Sequence, residues 1–165
     1  MKFTSIKKMA VYPGTFDPIT LGHIDIIIKT IKIFGKVTIA IAKDNYKTTM
    51  FSPHERRELV INALSEYNIF NANVVIFEGL LVNFMENIED NVIIRGLRAI
   101  SDFEYEFQMS CMNSRLNSNV ETIFLPAKDD MHFVSSRIIK SVAELDGDVS
   151  QFVPKCVADT IKNKR

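Results

Sequence analysis

The stretch MAVYPGTFDPITLGHIDIIIKTIKIFGKVTIAIA, residues 9–42, decides the fold. It opens on a short apolar run, Met9 to Tyr12, and closes on a β-branched one, Lys36 to Ala42. Both are apolar enough to be strands covered on both faces. Between them Ile24, Ile27, Ile28, Ile31 and Phe34 recur at the three-and-four spacing of one helix face. Gly22 to Phe34 therefore reads as a helix, with Gly35 as its stop. Strand, helix and strand in immediate succession is the repeating step of an α/β sheet.

Working outward, the same alternation continues. Asn73 to Phe77, Asn91 to Ile94 and Glu121 to Leu125 are three more strand candidates. Ser52-Pro53-His54-Glu55 is a capping box with proline at the first helical position, followed by Leu59, Val60, Ala63 and Leu64 on one stripe. Ser101-Asp102-Phe103-Glu104 opens another helix in the same way, and Ile138, Ile139, Val142, Ala143 and Leu145 pattern a further one. No repeat, low-complexity stretch or linker interrupts the series, so residues 1–165 read as one domain. The expected architecture is a doubly wound, five-stranded parallel sheet with helices on both faces. Ligands in such sheets sit outside the carboxyl ends of the strands, where strand order reverses.

Composition agrees with that class. The chain has 165 residues, 47% hydrophobic and 24% charged, which excludes a disordered tail or a fibre. A chain of this size buries about 70% of its unfolded surface and needs no disulfide or metal to supply a core. Twenty Lys plus Arg balance twenty Asp plus Glu, leaving no global field to attract nucleic acid or an anionic membrane. Neither is an expected partner, and any anionic ligand must be met locally. Cys111 and Cys156 form no C-x-x-C pair and are expected as reduced thiols, each in a buried structural role. Residues 1–8 hold three lysines but lead into no signal-peptide core, and no run approaches the ~18 apolar residues of a membrane span, so a cytoplasmic location is expected.

Four segments after strands could carry chemistry. The first, Tyr12 to His23, is neither a Walker loop nor a G-x-G-x-x-G, yet it has small residues, the Thr15 hydroxyl and exposed amides at a helix start, all suited to phosphate. The alternative is that Gly14 and the prolines only shape a turn while His23 caps or packs. The second, Ile93-Ile94-Arg95-Gly96-Leu97-Arg98, sets two arginine forks at a strand's carboxyl end. They could instead pair with Asp102, Glu104 or Glu106, but their position favours the ligand crevice. The third, Met131 to Arg137, offers Ser135 and Ser136 at a helix start, as caps or as phosphate donors. The fourth, Asp44 to Thr49 after the second strand, holds Lys47, an ordinary solvated lysine unless that loop borders the same crevice. His54-Glu55-Arg56-Arg57-Glu58 lacks the second histidine of a zinc-protease helix and reads as a solvated helix face. No zinc-ligand spacing, serine-hydrolase elbow or aromatic platform for nucleic acid is found.

In this order, Gly14-Thr15-Phe16-Asp17-Pro18, Thr20-x-Gly22-His23, Ile94-Arg95-Gly96-Leu97-Arg98, Asp102-Phe103-Glu104-Tyr105-Glu106 and Val134-Ser135-Ser136 closely resemble the bacterial phosphopantetheine adenylyltransferases, from about Met9 onward. The T-x-G-H loop alone marks the wider nucleotidyltransferase superfamily. The resemblance implies that ATP and 4′-phosphopantetheine yield dephospho-coenzyme A and pyrophosphate, with Mg²⁺ accompanying the nucleotide, in a homohexamer subject to feedback by coenzyme A. It implies ATP contacts from Thr15, Phe16, His23, Gly96, Leu97, Arg98, Glu106 and the run Met131, His132, Phe133, Val134, Ser135, Ser136 and Arg137. It implies contacts to the pantetheine substrate from Thr15, Lys47, Leu81 and Arg95, with His23, Thr15, Lys47 and Arg95 as the catalytic set and no protein-held metal. The chain departs from the family at Arg137, where many members carry a third serine, at Leu81, whose segment varies, and at residues 1–8, an added extension. The rival readings are transfer to another phosphorylated acceptor, and a catalytically silent nucleotide-binding module.

Overall fold

The computed structural model describes residues 9–43, 48–88, 90–98, 100–128, 131 and 133–164, with only the backbone at 100 and 101. The expectations placed on residues 1–8, Lys47 and His132 lie outside the described residues. Strands β1 (Ala10–Gly14), β2 (Val37–Ala42), β3 (Ala72–Phe77), β4 (Val92–Leu97) and β5 (Glu121–Pro126) alternate with helices α1 (Leu21–Phe34), α2 (Pro53–Glu66), α3 (Leu81–Asn87) and α4 (Ile100–Leu116), followed by α5 (Ser136–Glu144) and α6 (Lys155–Asn163). All the strand pairings are parallel, in the order β3-β2-β1-β4-β5.

Side chains alternate across the sheet, and each face finds its own cover. Ala10, Tyr12, Ile39, Ile41, Val92 and Ile94 pack with Ile24, Ile27, Leu59, Val60, Ala63, Ile139 and Val157, that is, with α1, α2, α5 and α6. Val11, Ala40 and Ile93 face the other way, onto Met85 with Leu81 and Phe84 of α3. Phe103 of α4 meets Phe124 of β5 on that side, ring centroids 5.8 Å apart. The doubly wound sheet expected from the alternation is the one found.

The caps show how local sequence sets element ends. The Ser52 hydroxyl accepts the Glu55 N–H at 3.3 Å while the Glu55 carboxylate accepts the Ser52 N–H at 2.7 Å. Gly35, at φ 80°, ends α1 by donating its N–H to the Ile31 carbonyl at 2.7 Å.

Four expectations are corrected. Helix α4 begins at Ile100, so Ser101 stands inside its first turn rather than opening it. Leu145 is off the core stripe: α5 ends at Glu144, and Leu145 is 84% exposed. Neither thiol is buried, Cys111 being exposed and Cys156 half-buried, although both are free. In the stretch read as a solvated face, His54, Glu55 and Glu58 are exposed but Arg56 is fully buried. Among the described residues no helix is long and apolar enough to cross a membrane.

Candidate active site

The central strands β1 and β4 leave on helices running to opposite sides, and this is where strand order reverses. Their register pairs Ala10 with Val92 and Val11 with Ile93, and extends no further. Beyond that point a cleft of about 400 Å³ opens, lined by Gly14 at the end of β1, Thr15 and Phe16 after it, His23 of α1, Arg95 and Gly96 of β4, Arg98, Glu106 of α4, and Val134 to Arg137 at the start of α5. Three of the four segments marked in the sequence thus converge on one crevice; Lys47, in the fourth, is not among the described residues. Tyr12, which opens the first of those segments, lines the cleft too, as do Ile26 and Ala127, whose apolar character hid them among core residues.

His23 owes its orientation to helix capping. Thr20 is the N-cap of α1 and His23 stands at the third helical position; the Thr20 backbone N–H donates to His23 Nδ1 at 3.0 Å, and the His23 N–H donates back to the Thr20 hydroxyl at 3.4 Å. A backbone N–H can only donate, so Nδ1 carries a lone pair and the proton of the neutral ring sits on Nε2. Burial, with the Arg98 and Arg95 guanidiniums adding to it, pushes the imidazole pKa down to about 3. The ring is therefore a neutral donor lining the cleft. Of the two alternatives in the sequence, capping is present, and it occupies only the Nδ1 edge of a side chain that also lines the cleft.

The loop from β1 to α1 is held rigidly beneath the cleft. Phe16 is buried at a positive φ of 49°, a conformation that costs a side-chain-bearing residue about 1 kcal/mol, with its ring edge-on to Tyr12 at 5.4 Å. The buried Asp17 carboxylate accepts the Met50 and Phe51 N–H groups at 3.0 and 2.9 Å and pairs with Lys140 Nζ at 2.8 Å. Sequence reasoning gave Asp17 and Lys140 no part here, because their pairing spans distant segments. At α5 the Ser135 hydroxyl accepts the Ile138 N–H at 3.2 Å, and Ser136 Oγ donates to the Pro18 carbonyl at 2.8 Å. Both hydroxyls are thus structural ties, and the amides of the first turn of α5 remain as anion donors.

Both arginines line the cleft and both are paired. Arg95 Nε and Nη2 bind the two Glu106 oxygens at 2.6 and 2.5 Å, and Nη1 donates to the Pro13 carbonyl at 2.8 Å, bridging the gap between β4 and β1. Arg98 meets Asp102 at 3.1 and 3.4 Å and the Val134 carbonyl at 3.3 Å. The carboxylates fix the directions of both forks, and an anion entering the cleft would have to share or displace them.

The remaining expected residues stand around this cleft without lining it. Leu97 ends β4, Met131 lies beside Gly22 at the start of α1, and Phe133 is 59% exposed with its ring edge on Phe152. Leu81 lines a second, smaller pocket of about 100 Å³ that shares Arg95 and Glu106 with the first and adds Tyr105, Met109, Ser110, Asn113 and Thr122. For a metal the fit is poor: among the described residues no three His, Cys, Asp or Glu side chains are grouped to hold one, and Glu106 is taken by Arg95. An Mg²⁺ ion would be carried by the nucleotide's own phosphates.

Comparison with known proteins agrees with this geometry. The model of the cytidylyltransferase-like family matches residues 11–142. The chain is 52% identical over 147 residues to the phosphopantetheine adenylyltransferase of Moorella thermoacetica, covering 89% of this chain and 91% of the relative. It is 44% identical over 157 residues to that of Methylacidiphilum infernorum, covering 95% and 91%. A solved structure from Vibrio parahaemolyticus, provisionally assigned as a nicotinate-nucleotide adenylyltransferase, superposes with a TM-score of 0.74 at 17% identity, covering 94% of this chain and 99% of that one, a likeness of fold. With a switch-point cleft and relatives of this identity, the chain belongs to the cytidylyltransferase-like family, among its phosphopantetheine adenylyltransferases.

Proposed function

We propose that the chain transfers the adenylyl group of ATP reversibly to 4′-phosphopantetheine, releasing pyrophosphate and forming dephospho-coenzyme A. The observation that carries this reading is the neutral Nε2–H donor of His23 in a cleft shared with Arg95 and Arg98. A phosphate monoester has a second pKa near 6, so at neutral pH its oxygen is already a nucleophile and no general base is needed. In keeping with that, Glu106 is the only carboxylate among the described lining residues, and Arg95 binds it.

The acceptor oxygen attacks the α-phosphorus in line. One P–O bond forms there as the bond to the β-phosphate breaks, and its electron pair leaves on pyrophosphate; no proton moves and no enzyme intermediate forms. Lys47 and Arg95 anchor the acceptor phosphate, with Leu81 beside the pantetheine arm. His23 and Thr15 hold the α-phosphate as charge builds on it. Arg98 and the amides at Ser135, Ser136 and Arg137 hold the β and γ groups, while Phe16, Gly96, Leu97 and the 131–134 run enclose the nucleoside. Mg²⁺ carried on the polyphosphate would offset charge on the leaving group. Catalysis then rests on positioning two polyanions that repel one another.

A cytoplasmic setting suits the two free thiols. The homohexamer is supported by α4, which leaves Phe103, Tyr105, Phe107, Met109, Met112 and Leu116 exposed; sedimentation at six times the 18.8 kDa chain mass is the expected result, and a monomer would remove it. The reading is tested by pyrophosphate release from ATP and Mg²⁺ with 4′-phosphopantetheine, with the acceptor omitted as control. Release only with this acceptor is expected. Release with a different phosphorylated acceptor would reassign the substrate, and none with any would leave a silent module.

A further inference from the structure

Tyr12 is the first residue of β1 past the point where β1 and β4 part, and no step above uses its side chain. The residue is 6% exposed, with its ring on the α1 face of the sheet, edge-on to Phe16 at 5.4 Å and tilted to His23 at 6.2 Å. Its hydroxyl has no hydrogen-bond partner among the described residues. Yet the enclosed, unpartnered side-chain oxygen among those residues is Asp90 Oδ2, not the phenol oxygen. The open valence of the phenol therefore faces the cleft that Tyr12 lines. A Cβ on Gly96 would lie 3.5 Å from this oxygen, so glycine at that position leaves the approach from β4 clear.

A ring that needed only to fill this space would be served by phenylalanine, as at Phe16 beside it. Burying a hydroxyl without a partner costs stability, and a group entering the cleft that completes its bonds removes that cost. Burial raises the phenol pKa well above its ordinary value, against the pull of the Arg95 and Arg98 guanidiniums. The group thus stays a neutral O–H that can both donate and accept.

Position and chemistry select what it meets. Arg95, assigned above to the acceptor, turns toward Glu106 of α4, and Leu81 packs on the opposite face of the sheet with Val11 and Ile93. Phe16 and Gly96, assigned to the nucleoside, lie against Tyr12 itself. Phosphate oxygens only accept, and the cations and N–H groups suited to them stand elsewhere in the cleft. A sugar hydroxyl gives and takes a hydrogen bond, and so matches a phenol on both counts.

We propose that the Tyr12 hydroxyl binds a ribose hydroxyl of ATP and so selects the ribonucleotide over an analogue lacking that group. This rests on the adenylyl-transfer reading. Calorimetry with ATP, 2′-deoxy-ATP and 3′-deoxy-ATP, on the unaltered protein and on Tyr12→Phe, tests it. In the unaltered protein at least one deoxy analogue should bind about tenfold more weakly than ATP, the scale of one hydrogen bond. In Tyr12→Phe, ATP itself should weaken by a similar factor and the penalty on that analogue should shrink to within about twofold, because both changes remove the same bond. The melting temperature without ligand should not fall, since no bond within the folded chain is lost.

Equal binding of all three nucleotides by the unaltered protein overturns the proposal, as does a deoxy penalty that survives in Tyr12→Phe. A variant that melts clearly lower or does not fold would make the hydroxyl a part of the fold, which also overturns it. Either result, with ATP still bound by the unaltered protein, leaves the adenylyl-transfer reading standing. An unaltered protein that binds no ATP ends that reading and this proposal together.

Discussion

At the scale of single residues, His23 joins the helix cap to the cleft, and its capping role and its proposed role as a donor can be separated. Its Nδ1 closes the α1 capping box and its Nε2–H lines the cleft. Glutamine at the third helical position supports the same kind of box, whereas alanine does not. His23→Ala should therefore lose about 1 kcal/mol of stability while His23→Gln keeps most of it. Both should lower kcat by at least about a hundredfold, the scale of one lost preorganised donor. Melting temperatures beside saturating pyrophosphate-release rates check this, and a near-normal kcat in either folded variant would move the donor role elsewhere. The depressed pKa also has a consequence for stability. As pH drops below 6.5 the unfolded chain protonates this ring, while the folded chain resists until about 3. The contribution is complete above 6.5 and is lost progressively toward 3. Melting temperature should fall more steeply between pH 7 and 4 in the unaltered protein than in His23→Gln; parallel curves would rule this histidine out as a source of acid sensitivity.

Among elements, the contact of α1 with β4 sets the width of the cleft. A Cβ on Gly96 would lie 3.0 Å from Ile26 Cγ1, 3.3 Å from Cδ1 and 3.5 Å from the Tyr12 hydroxyl. Ile26 sits three residues past His23, so a larger residue on the strand pushes on the turn that carries the imidazole. Gly96→Ala should cost about 1–3 kcal/mol in urea unfolding and raise the ATP KM; an unchanged unfolding midpoint would show that α1 yields freely. Elements of this kind were legible where a local rule decided them. The isoleucine periodicity of α1 and the Ser52 box are determined by neighbours in sequence, and both are present. The end of α5 is not so determined. The apolar pattern runs on to Leu145, but Asp146 turns at φ 60° and the Gly147 N–H bonds back to the Val142 carbonyl at 2.9 Å, leaving Leu145 in solvent.

For the whole molecule, the strand order β3-β2-β1-β4-β5 brings residues some eighty positions apart to one crevice. The segments that meet there were visible beforehand, because glycines, a histidine and arginines at strand ends are unusual in core-facing runs. Their supports were not. Arg56, within a run of charges, carries the composition of a solvated helix face, and its burial is made tolerable by partners from elsewhere in the chain, the Thr15, Ala42 and Phe51 carbonyls among them. Asp17 and Lys140 are likewise joined only by the fold. The proposed function rests on the convergence: cations and N–H donors gathered in one crevice, with Glu106, bound by Arg95, the only carboxylate among the described lining residues. Such a site performs one direct displacement. The most direct test is the stereochemical course at the α-phosphorus, followed with ATP made chiral there by sulfur and oxygen isotopes. The account predicts inversion of configuration; retention would mean two successive displacements through an enzyme-bound adenylate and would contradict it.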